Sequence, residues 1–135
     1  MALKVPLIGL TKVLDKLMAA YGAGLTMKLF QNDYVPVDGT VLANLTEATF
    51  QGYASQGIAA FGLSVIAGPR AIAQAASLTF TKGFGGVTNQ IYGYYVIDAF
   101  ANLLWAERDP ASPIPLVNTG DSYVITPTFS LRSEF

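Results

Sequence analysis

After Gly24 the hydrophobic period of the chain changes from 3.6 to 2, and that switch limits the possible folds more than any motif does. Upstream, Leu10, Val13, Leu14, Leu17, Met18 and Tyr21 recur at the spacing of one helical face. Thr11, Lys12, Asp15 and Lys16 take the opposite face, Pro6 and Gly9 mark the entry, and Gly22 stands where a C′ residue adopts positive φ. Downstream, Leu25, Met27 and Leu29 alternate with Thr26 and Lys28, and Leu78 and Phe80 alternate with Ser77, Thr79 and Thr81. In the last segment Tyr123, Ile125, Phe129 and Leu131 point one way while Ser122, Thr126, Thr128 and Ser130 point the other. Segments 91–97 and 102–108, rich in Tyr, Ile, Leu and Trp, read as two more strands, and 58–66 and 70–76 are weaker candidates.

Short strands that are polar on every second position disfavour a parallel α/β sheet, whose strands are apolar on both faces. The expectation is a mainly β fold, an antiparallel β-sandwich or small Greek-key barrel of about 6 to 8 strands, preceded by an amphipathic α-helix. The economical division is an N-terminal helical arm over 1–23 and a single β domain over 24–135. Asn32-Asp33, Pro36, Asp38-Gly39, Gly68-Pro69 and Gly83 to Gly86 supply turns. The stretch Asp109 to Gly120 holds Pro110, Pro113 and Pro115 and reads as an extended surface connection of polyproline character. Pro127 has no N–H to give a ladder, which puts the final strand at an edge or a bulge.

Composition narrows the function. Charged residues make up 13% of the chain, against about 25% in average globular domains. Mean hydropathy is +0.42. A chain of 14.3 kDa buries about two-thirds of its unfolded surface and has room for one core. Part of the surface is therefore expected to be covered by partners, the bland counterpart being a monomer with a small, neutral surface. A net charge of −1 argues against a nucleic-acid face. No membrane span is expected either, and two Lys against one Asp on the polar face of the helix are weak for a membrane surface.

With no His and no Cys, any acid–base chemistry falls to other groups, and Glu107 with Asp109 or Asp98 is the one acid pairing near an aromatic cluster. Asp98 at a hairpin, Asp109 before Pro110 and Asp121 after Gly120 occupy ordinary turn positions, so the expectation is no enzyme. Asp33 and Asp38 lack the oxygen density of a calcium loop, and Lys82-Gly83-Phe84-Gly85-Gly86 has neither Walker spacing nor a helix after it. That loop reads as a strand connection, and no metal, cofactor or small-molecule ligand is expected.

Two features point to partners. Phe100 sits in the hairpin tip Asp98-Ala99-Phe100-Ala101, where Asn-Gly or Gly-Gly is the usual choice. The stripe Leu10, Val13, Leu14, Leu17, Met18 and Tyr21 either covers the chain's own β domain, or packs on other copies or on a larger shell. These seven residues form the expected interface. Tyr92, Tyr94, Tyr95 and Trp105 offer a rival function, a platform for sugar rings, although alternation sets Tyr95 opposite Tyr92 and Tyr94.

The blocks Met27-Lys28-Leu29-Phe30-Gln31-Asn32-Asp33 with Pro36, and Leu45-Thr46-Glu47-Ala48-Thr49-Phe50-Gln51-Gly52-Tyr53, resemble small virion proteins encoded in tailed-bacteriophage genomes. Ile91 to Asp98, Leu103 to Arg108 and Gly120 to Pro127 resemble the later blocks of the same family, so the resemblance covers about residues 25 to 131. It implies head decoration, or capsid cement. The β domain would then sit outside an icosahedral shell, bridge major capsid subunits and cluster as a homo-oligomer, with a trimer favoured. A tail or baseplate component is the structural alternative. The helix before Gly22 has no counterpart in the family pattern, and Phe100 occupies a tip where glycine is more usual.

Overall fold

The computed structural model describes residues 5–21 and 24–132. Gly22, the expected C′ residue, lies outside the described residues. The chain begins with α1 (Leu7–Tyr21), β1 (Thr26–Phe30), a 3-10 turn (Leu42–Asn44), β2 (Gln56–Gly57), β3 (Val65–Ala67) and β4 (Arg70–Gln74). It continues with β5 (Leu78–Thr81), β6 (Asn89–Ile91), β7 (Gly93–Ile97), β8 (Leu103–Arg108), β9 (Ile114–Leu116), β10 (Ser122–Ile125) and β11 (Thr128–Arg132). Every strand pairing is antiparallel, so the mainly β class with an N-terminal helix is as the alternation requires.

The chain forms two compact units, where the expectation is one core and a division at residue 23. Among the described residues the first unit comprises 5–21, 58–77 and 126–132, and the second comprises 24–57 and 78–125. The helix is not an appendage to one β domain, because its apolar stripe has a sheet of its own.

In the first unit that sheet has the order β11-β4-β3. Leu10, Leu14 and Met18 of α1 are buried on Ala71 and Ala73 of β4, whose methyl side chains let the helix come close. Leu7, Leu17, Tyr21, Phe61, Phe129 and Leu131 close the rim. The helix starts on Pro6, whose carbonyl accepts from Leu10 N at 3.0 Å. Two positions differ from the sequence reading. Thr11, assigned to the polar face, is buried with its hydroxyl donating to Ile8 O at 2.7 Å. Val13, assigned to the apolar face, is 54% exposed. At about 100° per residue Val13 lies some 90° from the centre of the buried stripe, outside the reach of a three-stranded sheet. Asp15 and Ser64 tie the helix to the segment before β3. Ser64 N donates to Asp15 Oδ1 at 2.7 Å and Ser64 Oγ donates to Thr11 O at 2.9 Å.

In the second unit β7 lies inside the order β2-β1-β7-β8, with all five of its residues in register on β1. Two-stranded sheets β10-β5 and β6-β9 complete it. Phe30, Leu45 and Tyr95 form one buried cluster, and Tyr53 lies between the rings of Phe50 and Phe80 at 5.3 and 6.1 Å.

Prolines account for two further differences. The expected polyproline connection contains β9, whose Ile114, Pro115 and Leu116 pair with Ile91, Gln90 and Asn89. Pro115 is accommodated because β9 has a ladder on one side only. The expected single strand over 122–131 is cut at Pro127 into β10, paired with β5, and β11, paired with β4. Lacking an N–H, Pro127 cannot continue the ladder, and its carbonyl instead accepts from Ala75 N at 3.0 Å.

The tightest approach is at Gly93, where an added Cβ would stand 2.0 Å from Glu107 O and 2.8 Å from two ring carbons of Phe30. Neither backbone nor ring can yield that distance without shifting β7 against β1 or β8. Gly93→Ala is expected to destabilise the second unit by about 3 kcal/mol or more. A urea titration checks this, and a loss under about 1 kcal/mol would show that the strands give way easily.

Candidate functional site: two aromatic-tipped loops

The partner of the helical stripe is now fixed. Leu10, Leu14 and Met18 are buried within their own unit, and Leu17 and Tyr21 pack half-buried against them, so these five are not an open interface. Val13 alone of the stripe is exposed, on the flank of the helix. Phe100, the remaining expected contact residue, is 87% exposed.

Phe100 belongs to the β7–β8 hairpin tip, which is closed by one carboxylate. Asp98 Oδ1 accepts from the N–H groups of Phe100 and Asn102 at 2.9 Å, and Oδ2 accepts from Asn102 Nδ2 at 2.9 Å. Backbone bonds from Asp98 N to Asn102 O and from Ala101 N to Asp98 O close the same loop. Ala101 holds φ at +61°, a region costing a residue with a Cβ about 1–2 kcal/mol. The bonds to Asp98 over-determine the tip and keep that strain in place. An apolar ring is thereby displayed on a rigid turn.

A second ring is displayed by a different device. Phe84, at 90% the most exposed large apolar side chain among the described residues, sits in the loop from β5 to β6. Lys82 at the start of that loop is buried, and its ammonium donates to Gly83 O at 2.7 Å and to Gly85 O. The ammonium thus fills the inside of the loop while Phe84 faces out. Gly85 and Gly86 make the curl possible with φ of +64° and +67°, and a Cβ on Gly86 would strike the Gln51 side chain at 2.6 Å. The loop is pinned at both ends: Lys82 N donates to Asp121 O at 2.8 Å and Gly83 N to Gln51 O at 2.7 Å. Asp121 in turn accepts from Asn118 N and Val117 N at 2.8 and 3.0 Å. The sequence reading saw this segment as a strand connection and missed Phe84. A phenylalanine between glycines, after a lysine, was the available signal.

The other candidate residues are committed elsewhere. Glu107 accepts from Tyr94 Oη at 2.7 Å and Asp109 from Tyr123 Oη at 2.6 Å, which takes up both acids of the candidate pair. Asp33 is paired with Arg108. Burial, with the Glu47 charge second, pushes the Tyr95 hydroxyl up to about 12. Tyr94 and Tyr95 are buried, and Tyr92 is half-buried under the Arg108 guanidinium at 5.2 Å, so the sugar platform does not assemble. Trp105 is half-buried beside an open cleft of about 390 Å³ that Asp38, Thr40 and Leu103 also line. Among the described residues no three His, Cys, Asp or Glu side chains converge as a metal site, and no helix is long and apolar enough to cross a membrane. No protein-family model matches the chain, and neither a curated protein nor a solved structure matches it.

Both locks respond to charge. Asp98 titrates below its ordinary value of 3.8, chiefly because the Asn102 side chain and then the Asn102 N–H bond its charged form. A depressed carboxyl contributes stability above the unfolded value and loses it as pH falls through the lower folded one. The amide resonances of Phe100 and Asn102 should therefore shift together with a midpoint below 3.8. A midpoint at or above that value would mean that the carboxylate does not hold the tip. For the other loop, Lys82→Met strands two carbonyls, and a loss of about 1–3 kcal/mol with faster amide exchange over 83–87 is expected in a denaturant and exchange series. Unchanged exchange would remove Lys82 from its assigned role.

Proposed function

We propose that the protein is a structural virion component, a decoration or cement protein on the outside of a phage capsid. It docks on major capsid subunits through Phe84 and Phe100. The observation that carries this reading is the display of two phenylalanines, 90% and 87% exposed, on loops locked from within by Lys82 and Asp98. An exposed aromatic ring on a rigid turn loses little conformational freedom on binding and brings a large apolar area, which is the character of an interface hot spot. The block resemblance to small tailed-phage virion proteins supplies the setting.

The work of such a protein is mechanical. Each copy that binds the assembled shell but not its separated subunits raises the free energy of pulling the shell apart. No bond is made or broken in the substrate sense, and the chain's acids serve tyrosine hydroxyls and turns instead. The helix contributes by completing the first unit; it is not the anchor.

Burying one phenylalanine is worth about 1.5–3 kcal/mol, so Phe84→Ala and Phe100→Ala should each weaken attachment roughly 10- to 100-fold. Both side chains are exposed, and neither change should move the unfolding transition. The measurement is occupancy on purified particles, by mass or stained gel, against the shell subunit as internal standard. Wild-type copies comparable in number to shell subunits, with both variants depleted, are expected. Normal occupancy of the double variant would overturn the role of the rings, and a few copies per particle would move the protein to the tail.

A further inference from the structure

We infer that two copies of the chain associate through β3, edge to edge about a two-fold axis. β3 is the outer strand of the β11-β4-β3 sheet, and Val65, Ile66 and Ala67 are all exposed, the first two by 62% and 50%. Edge strands in folded proteins are commonly guarded by a charge, a proline or a bulge against pairing with a neighbour. The sequence Val-Ile-Ala has none of these, whereas β8, an edge of the four-stranded sheet, ends in Glu107 and Arg108.

The register defines what this edge offers. Ala67 and Arg70 flank the two-residue turn Gly68-Pro69, in which Gly68 has φ +58°. Residues flanking such a turn form a hydrogen-bonded pair, and antiparallel alternation then directs the N–H and C=O of Ile66 away from β4, out of the sheet. One residue presenting a donor and an acceptor is complementary to itself. About a two-fold axis at Ile66, each copy donates to the other and accepts from it, and Val65 comes opposite Ala67 of the second copy, large against small.

The face above the edge fits the same occupant. On the side of the sheet away from α1, a hollow of about 360 Å³ is lined by Leu63, Val65, Ala67, Ile72 and Gln74. Leu63 rises beside it, 85% exposed. None of the five is charged, and Arg70, the register partner of Ala67 on the same face, stands on β4, one strand in from the edge. A second copy brings the protruding leucine, the hollow and the unpaired edge together; a foreign strand would use the edge and leave Leu63 idle. The exposed parts of Leu63, Val65 and Ile66 come to on the order of 300 Å² per copy, small against the roughly 800 Å² per partner of a standard interface. The dimer is therefore weak in solution and strengthened wherever copies are held close together. A two-fold pair replaces the trimer that the family resemblance implies, and nothing in this inference depends on a shell.

Sedimentation velocity of the full chain from micromolar to millimolar concentration tests it. The expected result is a monomer–dimer equilibrium in the high-micromolar range. Leu63→Asp and Val65→Lys, both at exposed positions, should each weaken it at least tenfold with an unchanged unfolding transition, and Phe84→Ala should leave it unmoved. Amide exchange at Ile66 should slow as concentration rises. A chain that stays monomeric throughout, a trimer as the first oligomer, or a dimer indifferent to both β3-edge substitutions overturns the inference.

Discussion

The contact between the Phe30 ring and the bare backbone of Gly93 is the constraint on which the second unit depends. Only a residue without a Cβ lets β7 lie between β1 and β8 at this distance, since any larger one meets the Glu107 carbonyl and the Phe30 ring together. The consequence runs along the chain in both directions. Tyr92, just before Gly93, donates its N–H to Phe30 O at 3.0 Å and accepts from Asp109 N at 2.9 Å, which is how the chain passes from β6 in one sheet to β7 in another. Just after, the β7–β8 ladder runs out to the tip that carries Phe100, with one irregularity between Val96 and Ile97. A displaced β7 would displace the tip with it.

The scarcity of charge takes a different meaning once the structure is known. Sparse charge suggested hidden apolar surface, and the helical stripe was the obvious place for it. That stripe is satisfied within its own unit. What the structure adds is that many of the few charges are held by local hydrogen bonds: the buried Lys82 fills a loop, Asp98 and Asp121 close turns, Asp15 holds the segment before β3, and Glu107 and Asp109 receive tyrosine hydroxyls. Phe84, Phe100 and the β3 edge are the exposed apolar features that remain, and the chain's partners are to be sought there.

The parts of the fold that follow from local rules were legible in the sequence. A 3.6-residue period gave α1, alternation gave β1, β5 and the two ends of the last segment, richness in Tyr, Ile, Leu and Trp gave β7 and β8, and the position of Asp98 identified the hairpin. The rest depends on partners far along the chain. Nothing local says that the residues on either side of Pro127 belong to different sheets, although the missing donor marks the spot where a change of partner is cheapest. Val13 and Thr11 exchanged faces because a helix stripe has a width that sequence reports and a centre that only the opposing sheet defines. Of the candidate site, Phe100 was visible as a wrong residue type in a turn. Phe84 was not, because its meaning comes from Lys82 turning inward, and a lysine in sequence carries no sign of where its ammonium points.

A surface of net charge −1 exerts little long-range pull on a partner. Association without steering proceeds at the slower, neutral rate, so affinity must come from slow release, which depends on short-range fit. Rigid loops serve that end, since a ring already held in place forfeits little entropy when it is buried. Weak edge pairing through β3 adds nothing for an isolated molecule at low concentration, yet it becomes effective among copies already gathered on one surface, where each attachment raises the local concentration seen by the next. The two features therefore suit a protein that works in many copies at once, with the aromatic tips making the first hold and the unguarded strand joining neighbours afterwards.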